Sequence, residues 1–79
     1  MKVEVRLFAT LGAYLPEGTQ GDSVTLAVPD GTTVAQIVRS LGIPPQAPAI
    51  TVVNGRDAAP EQVLADGDEL AMFPPLAGG

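Results

Sequence analysis

One segment of the sequence shows the helical spacing of apolar residues, and this single stripe limits the folds available to the chain. Thr33 and Gln36 have the capping-box spacing at its start, and Gly42 stops it. Its apolar members recur at i, i+3, i+4 and i+7, as Val34, Ile37, Val38 and Leu41. One helix with one apolar face needs one sheet to bury it, so we predict two layers.

Short segments on both sides of this helix have the features of strands. Hydrophobic alternation or β-branched residues predict strands over residues 3–8, 23–28, 50–53, 56–58 and 69–73. Asn54-Gly55 suits a tight hairpin turn, residues 12–21 form an irregular connection, and residues 60–64 resemble a single helical turn. This order predicts an α+β fold of the β-grasp type, a mixed sheet of four to five strands packed on one main helix.

The domain is expected to span residues 1–73, followed by an extended tail over residues 74–79. We predict that the centre of its core contains four apolar side chains: Val5, Leu26, Ile37 and Val52.

Composition excludes several classes of function. The chain has no Cys and no His, so it offers no thiolate, no imidazole base and no soft metal ligand, and no metal site is expected. Its formal charge of −5 opposes binding to nucleic acid or to anionic membranes, and favours a basic protein partner. The N-terminus lacks the features of a secretion signal, which predicts a cytoplasmic protein.

The candidate functional element is the tail, Pro74-Pro75-Leu76-Ala77-Gly78-Gly79. Two prolines end the ladder of hydrogen bonds, and four extended residues beyond them reach about 14 Å, enough to enter another protein's cleft. Glycines without side chains let a narrow active site close on the backbone around the terminal carboxylate. The alternative is a frayed terminus without a function.

The sequence resembles the MoaD/ThiS family of ubiquitin-like sulfur carriers over essentially its full length, in particular the branch of the molybdopterin synthase small subunit. The resemblance rests on five motifs: Val-Arg-Leu-Phe-Ala at 5–9, Gly-Thr-Thr-Val at 31–34, Val-Asn-Gly at 53–55, Asp-Gly-Asp-Glu at 66–69, and Phe-Pro-Pro-Leu-Ala-Gly-Gly at 73–79. The last motif is the most specific.

The resemblance implies a carrier rather than an enzyme, although it could be counted as the non-catalytic small subunit of molybdopterin synthase. In this family a ubiquitin-activating-like adenylyltransferase uses ATP and Mg to adenylate the C-terminal carboxylate, here that of Gly79 behind Gly78. A sulfur donor protein then converts it to a thiocarboxylate for molybdopterin or tungstopterin synthesis, with the large subunit of molybdopterin synthase as partner. The chain itself is expected to bind no cofactor.

Other functions remain open on the same fold. The chain could be a sulfur carrier for another pathway such as thiamine biosynthesis, or a modifier whose Gly79 forms an amide with a target lysine. It could also be an interaction domain with an inert tail.

Partner binding is expected to use the tail and an apolar patch beside it. Alternation places Phe8 and Phe73 on the sheet face without the helix, and we expect Val53 to join them there. Pro74, Pro75, Leu76 and Ala77 would extend this surface toward the terminal glycines. The alternative for either ring is that it folds over a sheet edge to complete a secondary core.

Overall fold

The computed structural model describes residues 1–19, 21–44, 46 and 48–75. It contains a 3-10 helix, Ala9–Tyr14, and an α-helix, α1, Val34–Ser40. The strands are β1 Lys2–Leu7, β2 Ser23–Ala27, β3 Ile50–Val53, β4 Arg56–Asp57 and β5 Glu69–Phe73. All five predicted strands and the main helix are therefore confirmed, with small changes in their bounds.

The strands form one mixed sheet in the order β2-β1-β5-β3-β4. Its two central strands, β1 and β5, run parallel, with Val5 opposite Leu70, and the other pairs are antiparallel. Parallel neighbours need a long crossover connection, which here includes α1, and this helix packs on one face of the sheet. The β-grasp architecture is confirmed.

Helix α1 begins with the predicted capping box. The Thr33 side chain accepts a hydrogen bond from the Gln36 amide at 3.3 Å, and the Gln36 side chain accepts one from the Thr33 amide at 2.8 Å. The helix ends before Gly42, whose φ of 81° is left-handed and therefore favours glycine. No helix in the described residues is long and apolar enough to cross a bilayer.

The prediction of a helical turn over residues 60–64 was wrong. The Gln62 amide donates to the Ala59 carbonyl at 3.0 Å in a tight turn, and Val63 then pairs with Thr33 in an isolated β-bridge. Carbonyls of this segment accept from the first helical amides, at 3.0 Å from Val34 and 2.9 Å from Ala35. A turn followed by this bridge stands in place of the helical turn, because the segment supplies acceptors for the start of α1.

The connection between β1 and β2 also differs from prediction, because it contains the 3-10 helix in place of a wholly irregular loop. Leu11 lies on this helix and is buried in the hydrophobic core with an exposed fraction of 5%. Residues 9–14 show no clear apolar periodicity, so contact with the rest of the core selects this conformation.

Two of the four predicted central core residues are confirmed, since Val5 and Ile37 are almost fully buried. Leu26 packs against the core but is only half-buried, because β2 is an edge strand. Val52 is not in the core: it is half-buried and faces away from α1. The residues that complete the core include Val3, Leu7, Val53, Leu64, Leu70 and Met72.

The capping box gives a direct test of the helix start. Replacing Thr33 with Ala should lower the free energy of unfolding by about 1 kcal/mol, because the Gln36 amide loses its acceptor. Urea denaturation would measure the change. Thr33→Ser keeps the hydroxyl and is the matched control, and an equal loss in both variants would contradict a capping role.

Candidate docking face and tail root

The sheet has one face under α1 and one face that lacks a helix, and strand alternation decides which side chains lie on each. Val5, Leu7, Leu70 and Met72 are buried on the helix side. Their neighbours along each strand point to the opposite face. The helix-free face of the central strands therefore consists of Glu4, Arg6 and Phe8 from the β1 segment and Glu69, Ala71 and Phe73 from β5.

Phe8 and Phe73 contact each other on this face. Their ring centroids lie 6.3 Å apart at an interplanar angle of 66°, an edge-to-face pair. The Phe8 amide donates to the Met72 carbonyl at 3.0 Å, which fixes the end of β1 beside the end of β5. Both residues are half-buried, so the pair shields part of each ring and leaves part accessible.

Strand β3 adds different residues to this face from those predicted. Its register places Ile50 opposite Phe73 and Val52 opposite Ala71, which puts both on the helix-free face. Val53 lies opposite Leu70 and is 5% exposed, so its expected place in an exposed patch was wrong. Residues 50–53 do not alternate in polarity, and the sequence therefore could not show which side of the strand faces α1.

We define the apolar patch as Phe8, Ile50, Val52, Ala71 and Phe73. Ile50 is 37% exposed, and Ala71, the smallest member, is buried between Arg6 and Val52 on the flanking strands. The patch thus continues across three adjacent strands beside the root of the tail.

A charged group borders the apolar patch. Glu4 and Glu69 are direct cross-strand neighbours, an arrangement in which like charges repel. The Arg6 Nε lies 3.4 Å from a Glu4 carboxylate oxygen and 3.6 Å from one of Glu69. All three side chains are partly exposed, so these ion pairs contribute little to stability and leave their charges available to a partner.

The acidic turn before β5, Asp66-Gly67-Asp68, has a structural role. The Asp66 carboxylate accepts from the Lys2 amide at 2.7 Å, and that of Asp68 accepts from the Ala65 amide at 2.8 Å. Asp68 also accepts from the Asn54 side chain at 2.9 Å, and Asn54 accepts from the Glu69 amide at 3.0 Å. This contact between Asn54 and Asp68 was not predicted, because 14 residues separate them in the sequence.

The Asn54-Gly55 turn has the backbone that its sequence predicted, with φ values of 52° and 81°. Two successive positive angles are those of a type I′ hairpin turn, which joins β3 to β4. The turn therefore both closes the hairpin and presents the Asn54 side chain to the start of β5.

The root of the tail lies next to the apolar patch. Strand β5 ends at Phe73, Pro74 is half-buried and Pro75 is exposed. The predicted site residues Leu76, Ala77, Gly78 and Gly79 lie outside the described residues. Among the residues that are described, no three His, Cys, Asp or Glu side chains are grouped so that they could hold a metal ion.

Residues 5–79 match the ThiS family. The chain belongs to this family. Its members are small ubiquitin-like proteins that typically serve as non-catalytic carriers. No curated protein matches the sequence significantly.

Solved structures similar to this ThiS-family chain include two archaeal proteins. SAMP1 from Haloferax volcanii is 30% identical with a TM-score of 0.75, and the match covers 100% of both chains. The Pyrococcus furiosus protein described as molybdopterin converting factor, subunit 1, is 25% identical with a TM-score of 0.75, over 95% of this chain and 98% of that one.

A bacterial complex contains a third similar fold. The complex of subunits 1 and 2 of molybdopterin-converting factor from Helicobacter pylori includes a chain that is 20% identical, with a TM-score of 0.66 and complete coverage of both chains. At this identity the likeness shows the fold alone.

Two adjacent residues of β3 should differ in how much stability their truncation removes. Val53→Ala should lower the free energy of unfolding by about 2 kcal/mol, because it removes buried methyl groups and leaves a cavity. Val52→Ala is the matched control and should cost clearly less, since its side chain is only half-buried, on the helix-free face. Denaturant titration of both variants would measure this difference, and equal losses would contradict the facing of β3.

Proposed function

We propose that this ThiS-family chain carries sulfur as a thiocarboxylate on Gly79 for molybdopterin or tungstopterin synthesis. The observation that supports this most is the family match, which extends through the Gly78-Gly79 end. The tail leaves the domain directly beside the apolar patch, so a partner that binds the patch would receive the tail as well. The cycle is proposed for the cytoplasm.

The chemistry needs activation from outside the chain. A carboxylate is a poor electrophile, and an adenylyltransferase with ATP and Mg²⁺ would convert it to an acyl-adenylate with release of pyrophosphate. A sulfur nucleophile at the level of hydrosulfide, supplied through a sulfur donor protein, would then displace AMP and leave the thiocarboxylate. The carrier supplies the accessible carbonyl carbon, and its side chains supply recognition.

The apolar patch is the proposed binding surface for the adenylyltransferase and for the large subunit of molybdopterin synthase. Exposed contiguous apolar surface marks interaction sites, and aromatic residues often dominate their binding energy. The Helicobacter pylori complex of subunits 1 and 2 supports a large-subunit partner by analogy. The partly exposed charges of Glu4, Arg6 and Glu69 would then select the partner's orientation.

The likeness to SAMP1, a small archaeal modifier protein, supports a second candidate function. In that case an amine of a target protein would attack the activated Gly79 carbonyl and form an amide. Both functions begin with the same adenylate and differ in the nucleophile that follows. Carriage of sulfur for thiamine synthesis remains a further variant of the first function.

Deleting Gly79 should abolish activation and leave the melting temperature nearly unchanged. The full chain, incubated with its adenylyltransferase, ATP, Mg²⁺ and a sulfur donor, should gain the mass difference between sulfur and oxygen. Intact-mass spectrometry would detect this change. A covalent adduct with another protein would favour the modifier function, and sulfur transfer by the chain without Gly79 would contradict both.

Phe73→Ala should weaken binding to the large subunit at least tenfold, which corresponds to about 1.4 kcal/mol. The loss arises because the ring would fill a partner pocket, and calorimetric titration would measure it. Val63→Ala is the matched control, since Val63 is 59% exposed but lies outside the apolar patch. If Phe73→Ala destabilises the domain more than it weakens binding, the ring belongs to the core.

A further inference from the structure

The two edges of the sheet differ in how they are protected against pairing with other chains. At one edge, β4 has only two residues, Arg56 and Asp57, both charged. At the other edge, β2 has five residues, Ser-Val-Thr-Leu-Ala, without charge or proline. Short length and charge are the usual devices that block strand addition, and β2 has neither.

The alternation of hydrogen bonds between β1 and β2 shows which backbone amides and carbonyls of β2 are free to pair with another strand. The Leu7 amide donates to the Asp22 carbonyl at 2.9 Å, and the Val28 amide donates to the Met1 carbonyl at 2.8 Å. In an antiparallel ladder these bonds fall on every second residue. Val24 and Leu26 therefore pair with β1, whereas Ser23, Thr25 and Ala27 direct their amides and carbonyls outward.

The outward amides and carbonyls of Ser23, Thr25 and Ala27 form the open ladder of β2. Apolar side chains lie beside it. Val24, Leu26 and Val28 are half-buried against the core, so each keeps an exposed part at the edge. A groove between the end of β2 and α1 continues this surface, and its lining includes Val28, Thr32, Ile37 and Ser40. A strand added to β2 would place alternate side chains over this groove.

Charge decides what kind of strand fits. Asp22 and Asp30 are exposed and flank the two ends of the ladder. Asp30 lies 3.7 Å from the N-terminal ammonium of Met1, but its side chain is 95% exposed, so its charge stays accessible to a partner. If a second copy paired symmetrically about Thr25, Asp22 of one copy would face Val28 of the other. Asp30 of that other copy follows Val28 by two residues, a span of at most about 7 Å. The carboxylates of the two copies would therefore lie close together at both ends and repel each other. A strand with basic ends would be attracted instead.

We propose that β2 binds an extended segment of a partner protein, which adds as a sixth strand with apolar residues over the groove and a basic residue near each end. Main-chain hydrogen bonds to Ser23, Thr25 and Ala27 would supply affinity, and alternate side chains would supply specificity. Strand β1 separates this edge from β5. The edge and the apolar patch can therefore be occupied together, and the inference does not depend on sulfur transfer.

The probe is a capped heptapeptide of alternating valine and threonine with a lysine at each end, titrated into ¹⁵N-labelled full-length protein. Binding should shift the amide resonances of Ser23, Thr25 and Ala27 and slow their hydrogen exchange. Thr25→Pro removes one outward donor at an edge position and should weaken binding at least tenfold. Thr25→Val keeps the amide and is the matched control.

A charge variant tests the same edge without touching the backbone. Asp22→Asn with Asp30→Asn should weaken binding of the peptide several-fold and reduce its salt dependence. Glu17→Gln with Glu61→Gln makes the same change in net charge elsewhere and should bind as the unmodified chain does.

Three outcomes would overturn the proposal. The first is equal binding by Thr25→Pro, and the second is the absence of binding at millimolar peptide. The third is a dimer, detected by sedimentation, that Thr25→Pro dissociates, because the edge would then be covered by a second copy.

Discussion

The parallel pairing of β1 with β5 is the contact on which the rest of the structure depends. These two strands are the centre of the sheet, and their helix-facing side chains, Val3, Val5, Leu7, Leu70 and Met72, are nearly inaccessible to solvent. Parallel pairing also aligns the ends of both strands, so Phe8 contacts Phe73 where the chain leaves the domain. Core burial and the position of the tail's root, Pro74 and Pro75, are thus consequences of one ladder.

A single helix covers only one face of that sheet. The opposite face keeps the apolar patch and the partly exposed charges beside it. Members of the ThiS family are typically non-catalytic carriers. In the proposed function, the partner enzyme therefore performs the activation chemistry, and the carrier provides the carbonyl group that reacts.

The two proposed binding surfaces lie in different parts of the sheet. The apolar patch crosses β1, β5 and β3, whereas the open ladder belongs to β2 at the far edge. The acidic turn before β5, by contrast, uses its carboxylates to accept backbone and side-chain hydrogen bonds. Negative charge therefore has a local structural role there and a proposed electrostatic role at the ends of β2.

The sequence alone determined the features that depend on neighbouring residues. The Thr33 and Gln36 capping box, the Asn54-Gly55 turn and the alternation of β1 and β5 are local, and each was predicted with its correct geometry. The motif at the end of the chain likewise indicated the family. These features have short-range physical causes: side chains that satisfy nearby amides, and residues that tolerate positive φ.

Only the tertiary structure decided the features that depend on contacts between distant segments. Val52 and Val53 are chemically identical side chains, and pairing with β5 alone determines that Val53 is buried and Val52 is not. The 3-10 helix follows from burial of Leu11, and residues 60–64 form a turn and a β-bridge whose carbonyls accept from the first amides of α1. Register and burial arise from the packing of the whole domain, which local propensity does not contain.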